Sequence, residues 1–180
     1  MIRRKILTIA AAGAMALTIA SCSSSSTSAP TTTSPQSPTT APITIGTIPA
    51  ADRSPAGTAG TAPTVTVPSG PAPTQLESAD LITGTGPKAV AGDKVTVQYV
   101  LATYSSGKVI QSSWTSQPFT FVLGQGQVIP GWDAGVAGMQ AGGRRELIIP
   151  PAQGYGAQSP GPGITANDTL VFVVDLLKIG

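Results

Sequence analysis

The stretch whose reading decides the fold is Phe119-Thr120-Phe121-Val122-Leu123-Gly124-Gln125-Gly126-Gln127-Val128-Ile129-Pro130-Gly131-Trp132. Phe119 and Phe121 alternate with Thr120, the pattern of a half-buried strand. Gly124 and Gly126 interrupt it and permit a tight reversal. Pro130 suits the first turn of a helix, where its missing N–H has no intrahelical acceptor to serve. Trp132, Val136 and Met139 then recur at i, i+4 and i+7, one apolar helix face. A strand thus delivers two aromatic rings, a loop presents backbone amides, and a helix start sets an indole beside them. Such a layout lines a shallow apolar dish with hydrogen-bonding groups at its rim.

Working outward, the same order of pieces continues through Gly142-Gly143-Arg144-Arg145-Glu146-Leu147, Pro151-Ala152-Gln153-Gly154-Tyr155-Gly156, Thr169-Leu170-Val171-Phe172 and Leu176-Leu177. Over about the last hundred residues the chain resembles the FKBP domain, the FK506-binding family of peptidyl-prolyl cis-trans isomerases. The resemblance implies an α+β fold: a twisted antiparallel sheet wrapped on one short helix. It also implies an activity that needs no cofactor or metal.

Read for its own periodicities, the chain gives the same class. The globular part is expected over residues 75–180, starting with a strand at Leu81-Ile82. Val95, Val97, Tyr99 and Leu101 alternate in a longer strand, and a turn at Ser105-Ser106-Gly107 returns the chain into Val109–Ser113. Phe119–Leu123 forms another strand. A short helix spans roughly Gly131 to Met139 and is stopped by Gly142-Gly143. Arg144–Ile149 is again a strand, and a Gly- and Pro-rich loop over residues 153–167 precedes an apolar, central strand at Leu170–Lys178. Strands and one helix in this order make an α+β domain with the helix against one sheet face. Arg144-Arg145 reads as a solvated strand edge.

Composition narrows the function. Of 180 residues only 10% are charged, while Gly and Pro number 21 and 17, which suits one domain plus a long non-globular part. The absence of histidine removes Ser-His-Asp and Cys-His nucleophilic sites and histidine-bearing zinc sites. Lys and Arg number 10 against 8 acidic residues, but Arg3, Arg4 and Lys5 sit in a leader. The remainder is nearly neutral, which argues against a nucleic-acid partner.

The N-terminus predicts export. Arg3-Arg4-Lys5 is followed by an apolar run from Ile6 to Ile19, short for a membrane span and suited to a secretory leader. It ends in Ile19-Ala20-Ser21-Cys22, which resembles the lipobox of bacterial lipoproteins. Residues 1–21 are therefore expected to be a signal peptide, with Cys22 carrying the lipid. That places the chain on the outer face of the cytoplasmic membrane, held there by its acyl chains. Residues 22–74 are rich in Ser, Thr and Pro and lack any helical or strand period, and are expected to be a disordered tether. A flexible coil of that length spans on the order of 40 Å, and a stretched one roughly 160 Å.

The resemblance assigns the dish residue by residue. Trp132 would form the floor, with Tyr99, Phe119, Val128, Ile129 and Phe172 as walls; Phe121, opposite in direction to Thr120, reads from the alternation as core. The Ile129 N–H would donate to the substrate carbonyl. The Gln127 carbonyl would face the peptide, leaving its side chain of little consequence. Tyr155 would offer its hydroxyl to the prolyl amide oxygen, and Ile164 would close one side. Where the family commonly carries Phe-Asp before a double serine, this chain has Ile110-Gln111 before Ser112-Ser113. Ile110 keeps an apolar wall without an aromatic edge, and Gln111 keeps hydrogen bonding without a charge. Weaker macrolide binding and a lower isomerase rate are expected. The expected partners are proline-containing polypeptides and ligands of the FK506 or rapamycin type. Competing readings are a non-catalytic module that holds proline-containing segments in the same dish, and, more remotely, a surface antigen with a vestigial domain.

Overall fold

The computed structural model describes residues 42–180, so the leader, Cys22 and the tract before residue 42 lie outside the described residues. The described part belongs to one compact unit. Its elements in chain order are β1 (Ile45–Thr47), a 3-10 turn (Ala50–Asp52), β2 (Leu76–Ile82), β3 (Lys94–Thr103), β4 (Val109–Ser112), β5 (Phe119–Val122), α1 (Pro130–Val136), β6 (Arg144–Ile149), a second 3-10 turn (Pro151–Gln153) and β7 (Leu170–Ile179). The strands form one seven-stranded sheet in the order β1-β2-β6-β7-β3-β4, with β5 paired to β3 beyond its junction with β4. Every pairing is antiparallel except that of β1 with β2. No helix among the described residues is long and apolar enough to cross a membrane.

The period-2 alternation of β6 and β7 explains the layering. Leu147 lies opposite Phe172 and Ile148 opposite Val171, so each pair shares a face. Leu147, Ile149, Phe172 and Val174 join Val95, Val97, Leu101, Phe121, Trp132, Val136 and Met139 in the main core beneath α1. Ile148 and Val171 point the other way and form a second, smaller core with Ile48 and Ala79. The sheet is therefore apolar on both faces at its centre, and each face needs a cover.

On the first face the cover is α1. Trp132, Val136 and Met139 are all buried, as their spacing predicts. The helix ends at Val136, and Gly138, at φ 76°, turns the chain so that Met139 still reaches the core. Gly131 and Gly135 set how closely the helix approaches. A Cβ on Gly131 would lie 2.5 Å from Cγ2 of Ile149, and one on Gly135 2.6 Å from Cδ2 of Leu147. Arg145 fixes the helix's other end. Its guanidinium donates to the carbonyls of Gly135 and Ala137 at 2.8 and 3.1 Å and pairs with Asp80 at 2.6 Å. That supplies acceptor partners for carbonyls the helix itself leaves free.

On the second face the cover is the chain ahead of β2, which departs from the sequence expectation. Residues 42–74, read as tether, are built onto the domain. β1 adds to β2 in parallel, with Ile45 opposite Leu76. Ile48 is fully buried, and Val65, Val67 and Tyr104 pack against the same small core. The physical reason is that Ala79, Ile148 and Val171 would otherwise meet water. Burying one Ile side chain contributes about 1.5–3 kcal/mol, which offsets part of the ordering entropy that composition alone weighs against this segment.

Arg144 also departs from expectation. β6 lies between β2 and β7 rather than at an edge. The Arg144 side chain is 1% exposed and pairs with Asp175 through Nε at 2.6 Å and Nη2 at 2.7 Å. Its remaining donors reach the carbonyls of Ala56 at 2.8 Å and Thr61 at 2.6 Å. Four of the five guanidinium donors thus join two strands and the segment that crosses them.

Candidate functional site

Between the sheet's inner face, the start of α1 and two loops lies a cavity of about 410 Å³, lined by Tyr99, Gln111, Phe119, Gly126, Gln127, Val128, Ile129, Trp132, Tyr155 and Phe172. Nine of the eleven residues named for the dish therefore line one hollow. None of the lining side chains carries a formal charge.

The indole of Trp132 is only 4% exposed yet contributes to the lining, as a floor does. Tyr99 and Phe172 meet it nearly edge-to-face, with centroids at 5.3 and 5.2 Å and interplanar angles of 84° and 82°. Phe119 stands 6.1 Å away at 76°, and Phe121 lies beneath at 5.7 Å. Such contacts contribute about 0.5–1.5 kcal/mol each beyond burial and fix ring orientation. Phe121 is 3% exposed and Phe119 40%, so the first is core and the second a wall, as read from the sequence. The Trp132 Nε1–H is buried with no hydrogen-bond acceptor among the described residues.

The rim is made by the loop between β5 and α1. Ile129 caps the helix at φ −59°, ψ 146°, with Pro130 as the first helical residue. Its carbonyl accepts from the Trp132 N–H at 2.9 Å. Its own N–H donates to no acceptor among the described residues, so it stands available beside the cavity. Asp133 clasps the loop from the first turn of the helix. Its carboxylate oxygens accept from the Gly124 N–H at 2.8 Å and the Gly126 N–H at 3.0 Å. The Gln127 side chain, expected to matter little, closes the other side of this loop: its Oε1 accepts from the Val122 N–H at 2.9 Å. The bond gives an acceptor to an N–H on the side of β5 that no strand pairs.

Ser113, the second of the double serine, holds Tyr99 in place. Its Oγ accepts from the Tyr99 N–H at 2.8 Å, donates to Oε1 of Gln98, and its N–H donates to the Tyr99 carbonyl at 3.0 Å. Burial pushes the Tyr99 phenol above its ordinary value, and the neighbouring Tyr155 hydroxyl adds to the rise. The Tyr99 phenol therefore stays a protonated donor at physiological pH.

Ile110 and Ile164 do not line the cavity. Ile164 is buried within the main core, and Ile110, half-buried, packs against it. A Cβ on Gly163 would fall 2.8 Å from Cδ1 of Ile110, so the loop before β7 rests on Ile110. Gly126 lines the cavity without having been named, while Asp133 and Ser113 act from behind it. Asp133 carried a legible signal, an acid in the first turn of a helix after a Gly-Gln-Gly loop with unpaired amides. Cys22 lies outside the described residues. Among the described residues no group of His, Cys, Asp and Glu side chains could hold a metal ion.

Comparison with known proteins agrees with this geometry. The family model described as "FKBP-type peptidyl-prolyl cis-trans isomerase" matches residues 86–177. The "FK506-binding protein" of Streptomyces anulatus is 47% identical over 119 residues, covering 65% of this chain and 96% of that relative. "FK506-binding protein 4" of Aspergillus fumigatus is 48% identical over 96 residues, which are 53% of this chain and only 19% of that longer protein. A crystal structure of a peptidyl-prolyl cis-trans isomerase from Pseudomonas syringae superposes with a TM-score of 0.51 at 36% identity, over 57% of this chain and 74% of that one. The chain belongs to the FKBP-type peptidyl-prolyl cis-trans isomerase family.

Proposed function

We propose that this chain is a prolyl isomerase that speeds the folding of exported polypeptides outside the cytoplasmic membrane, tethered there by lipid on Cys22. The observation that carries the catalytic half is an uncharged aromatic hollow with the Trp132 indole as its floor and the Ile129 N–H free at its rim. An X–Pro bond isomerises over a barrier of roughly 18–20 kcal/mol, in tens to hundreds of seconds unaided. At the transition state the C–N bond is twisted, amide resonance is lost and the carbonyl is less polar. Water stabilises the resonant ground state best, so an apolar seat favours the twisted form relative to water. The rings of Tyr99, Phe119, Trp132 and Phe172 supply the seat. The Ile129 N–H and the Tyr155 hydroxyl hold the flanking peptide, and no residue changes its protonation state.

The test is a proline-limited refolding assay with the full chain. Catalysis shortens a phase that otherwise lasts about 10–100 s. Trp132→Leu and Tyr155→Phe slow it again. Ile110, displaced from the hollow, and Gln111, uncharged, favour a second reading, a module that binds proline-containing segments or macrolides of the FK506 type without turnover. Peptide binding with no acceleration of refolding establishes that reading in place of the first. The anchoring half rests on the leader and Cys22 in the sequence. Metabolic labelling with a fatty-acid probe in a bacterial host tests it: Cys22→Ala loses the label and releases the protein from the membrane fraction.

A further inference from the structure

On the sheet face away from the hollow, the segment ahead of β2 is held by the β1 pairing, by Arg144 and by one carboxylate, and only the carboxylate can change its charge near neutral pH. Glu146 is fully buried. Among the described residues it is in no ion pair, and its hydrogen bonds come from one residue. Ser54 donates its N–H to Oε2 at 2.8 Å, and its hydroxyl oxygen lies 2.6 Å from Oε1, a bond that the serine donates to a carboxylate and accepts from a neutral carboxyl. The Ser54 Oγ in turn accepts from the Thr66 N–H at 2.8 Å, so the same serine ties both arms of the segment together. Alternation on β6 sends Arg145 and Leu147 inward and puts Glu146 on the outer face with Arg144 and Ile148.

We propose that Glu146 and Ser54 form a pH-sensitive latch, which fastens residues 42–74 to the sheet when Glu146 is neutral and lets them lift away when it is charged. A neutral carboxyl can stay buried at small cost. A carboxylate without a cation beside it loses its hydration when the segment is down and regains it when the segment lifts. The surrounding charges do not cancel this. Arg144, next on the same face of β6, is engaged by Asp175 of β7. Arg53, of the segment itself, donates its Nε to the Ile48 carbonyl at 2.9 Å and favours the charged form of Glu146 only as the last of several influences. The positions opposite Glu146 are Ala79 on β2 and Val173 on β7, neither of which titrates. Asp80 of β2 pairs with Arg145 on the inner face.

Burial accordingly raises the Glu146 carboxyl above the ordinary carboxylate range, against the lowering effect of the two Ser54 bonds. A carboxyl whose pKa is higher in the docked state than in the released one favours docking fully in acid. The advantage is lost as pH rises through the docked pKa. Release would convert 33 residues that are now part of the domain into slack chain of up to about 110 Å.

Nuclear magnetic resonance on the full chain reads the latch directly. Hydrogen-exchange protection of the Ser54 and Thr66 amides, corrected for intrinsic exchange, is measured from about pH 4.5 to 8.5. Protection should fall about tenfold or more across that range, while the Trp132 side-chain signals remain those of the folded domain. Glu146→Gln, which keeps the shape and cannot ionise, should hold protection constant. Ser54→Ala should lower it at every pH. Protection that does not change with pH in the native chain, or that changes equally in Glu146→Gln, overturns the proposal.

Discussion

Asp133 does at the level of one side chain what the aromatic rings cannot do for themselves. It ties the loop that carries Gly126, Gln127 and the free Ile129 amide to the helix that carries Trp132, through two charge-assisted bonds. Such bonds contribute about 1.5–3 kcal/mol each. Asp133→Ala should therefore leave the domain folded but loosen the rim, lowering kcat/KM in a peptide isomerase assay by about tenfold or more. Gln111 gives the opposite test. It occupies the cavity wall as an amide where the family commonly has a carboxylate. Gln111→Asp should raise both turnover and macrolide affinity, by about tenfold for each 1.4 kcal/mol recovered. Equal rates and affinities in the two forms would show that the wall residue does not tune the pocket.

Helix α1 and its two glycines carry the argument at the next scale. Gly135 sits against Leu147 with no room for a methyl group. Gly135→Ala should lift the helix and cost about 1–3 kcal/mol in chemical denaturation, with the indole displaced and activity reduced in step. Arg144 tests the other layer. Replacing it with Leu strands the buried Asp175 carboxylate and frees the carbonyls of Ala56 and Thr61, at a cost of about 3–5 kcal/mol. The inner layer was legible in the sequence because it is periodic. Phe119 and Phe121 alternate, Trp132, Val136 and Met139 recur along a helix face, and the strand limits read from them lie within a few residues of those observed, except that β2 begins at Leu76, ahead of the expected Leu81. The outer layer was not legible, for a reason visible in Ile48, Val65 and Val67. An irregular extended segment packs wherever it crosses the sheet, so its contacts obey no period. Its amides are answered by Glu146 and its carbonyls by Arg144, about 90 residues away. The misreading of Gln127 has a similar origin: its sequence position placed its carbonyl at the rim, but only geometry shows its side chain turned back to β5.

For the whole molecule, the separation of charge from chemistry matters most. The hollow is lined by neutral groups, and its Tyr99 phenol ionises above its ordinary range. Isomerase activity should therefore stay constant within about twofold between about pH 6 and 9 and respond weakly to salt. A peptide assay across that range checks it, and an inflection in it would mean that a titrating group takes part. Arg144 and Glu146, both buried, lie instead on the far face, where they bind the chain's own preceding segment. That segment has one more effect. β1 is three residues long, lies along the outer margin of β2, and has Pro42 ahead of it and Pro49 just beyond it. A margin occupied by so short a ribbon, bracketed by residues that cannot donate, offers a neighbouring molecule almost nothing to zip onto. Trimming the protein back to residue 75 would bare Leu76, Glu77 and Ser78 and leave all of β2 as an open edge, and the shortened form should stick to itself and come out of solution at concentrations where the longer one stays clear.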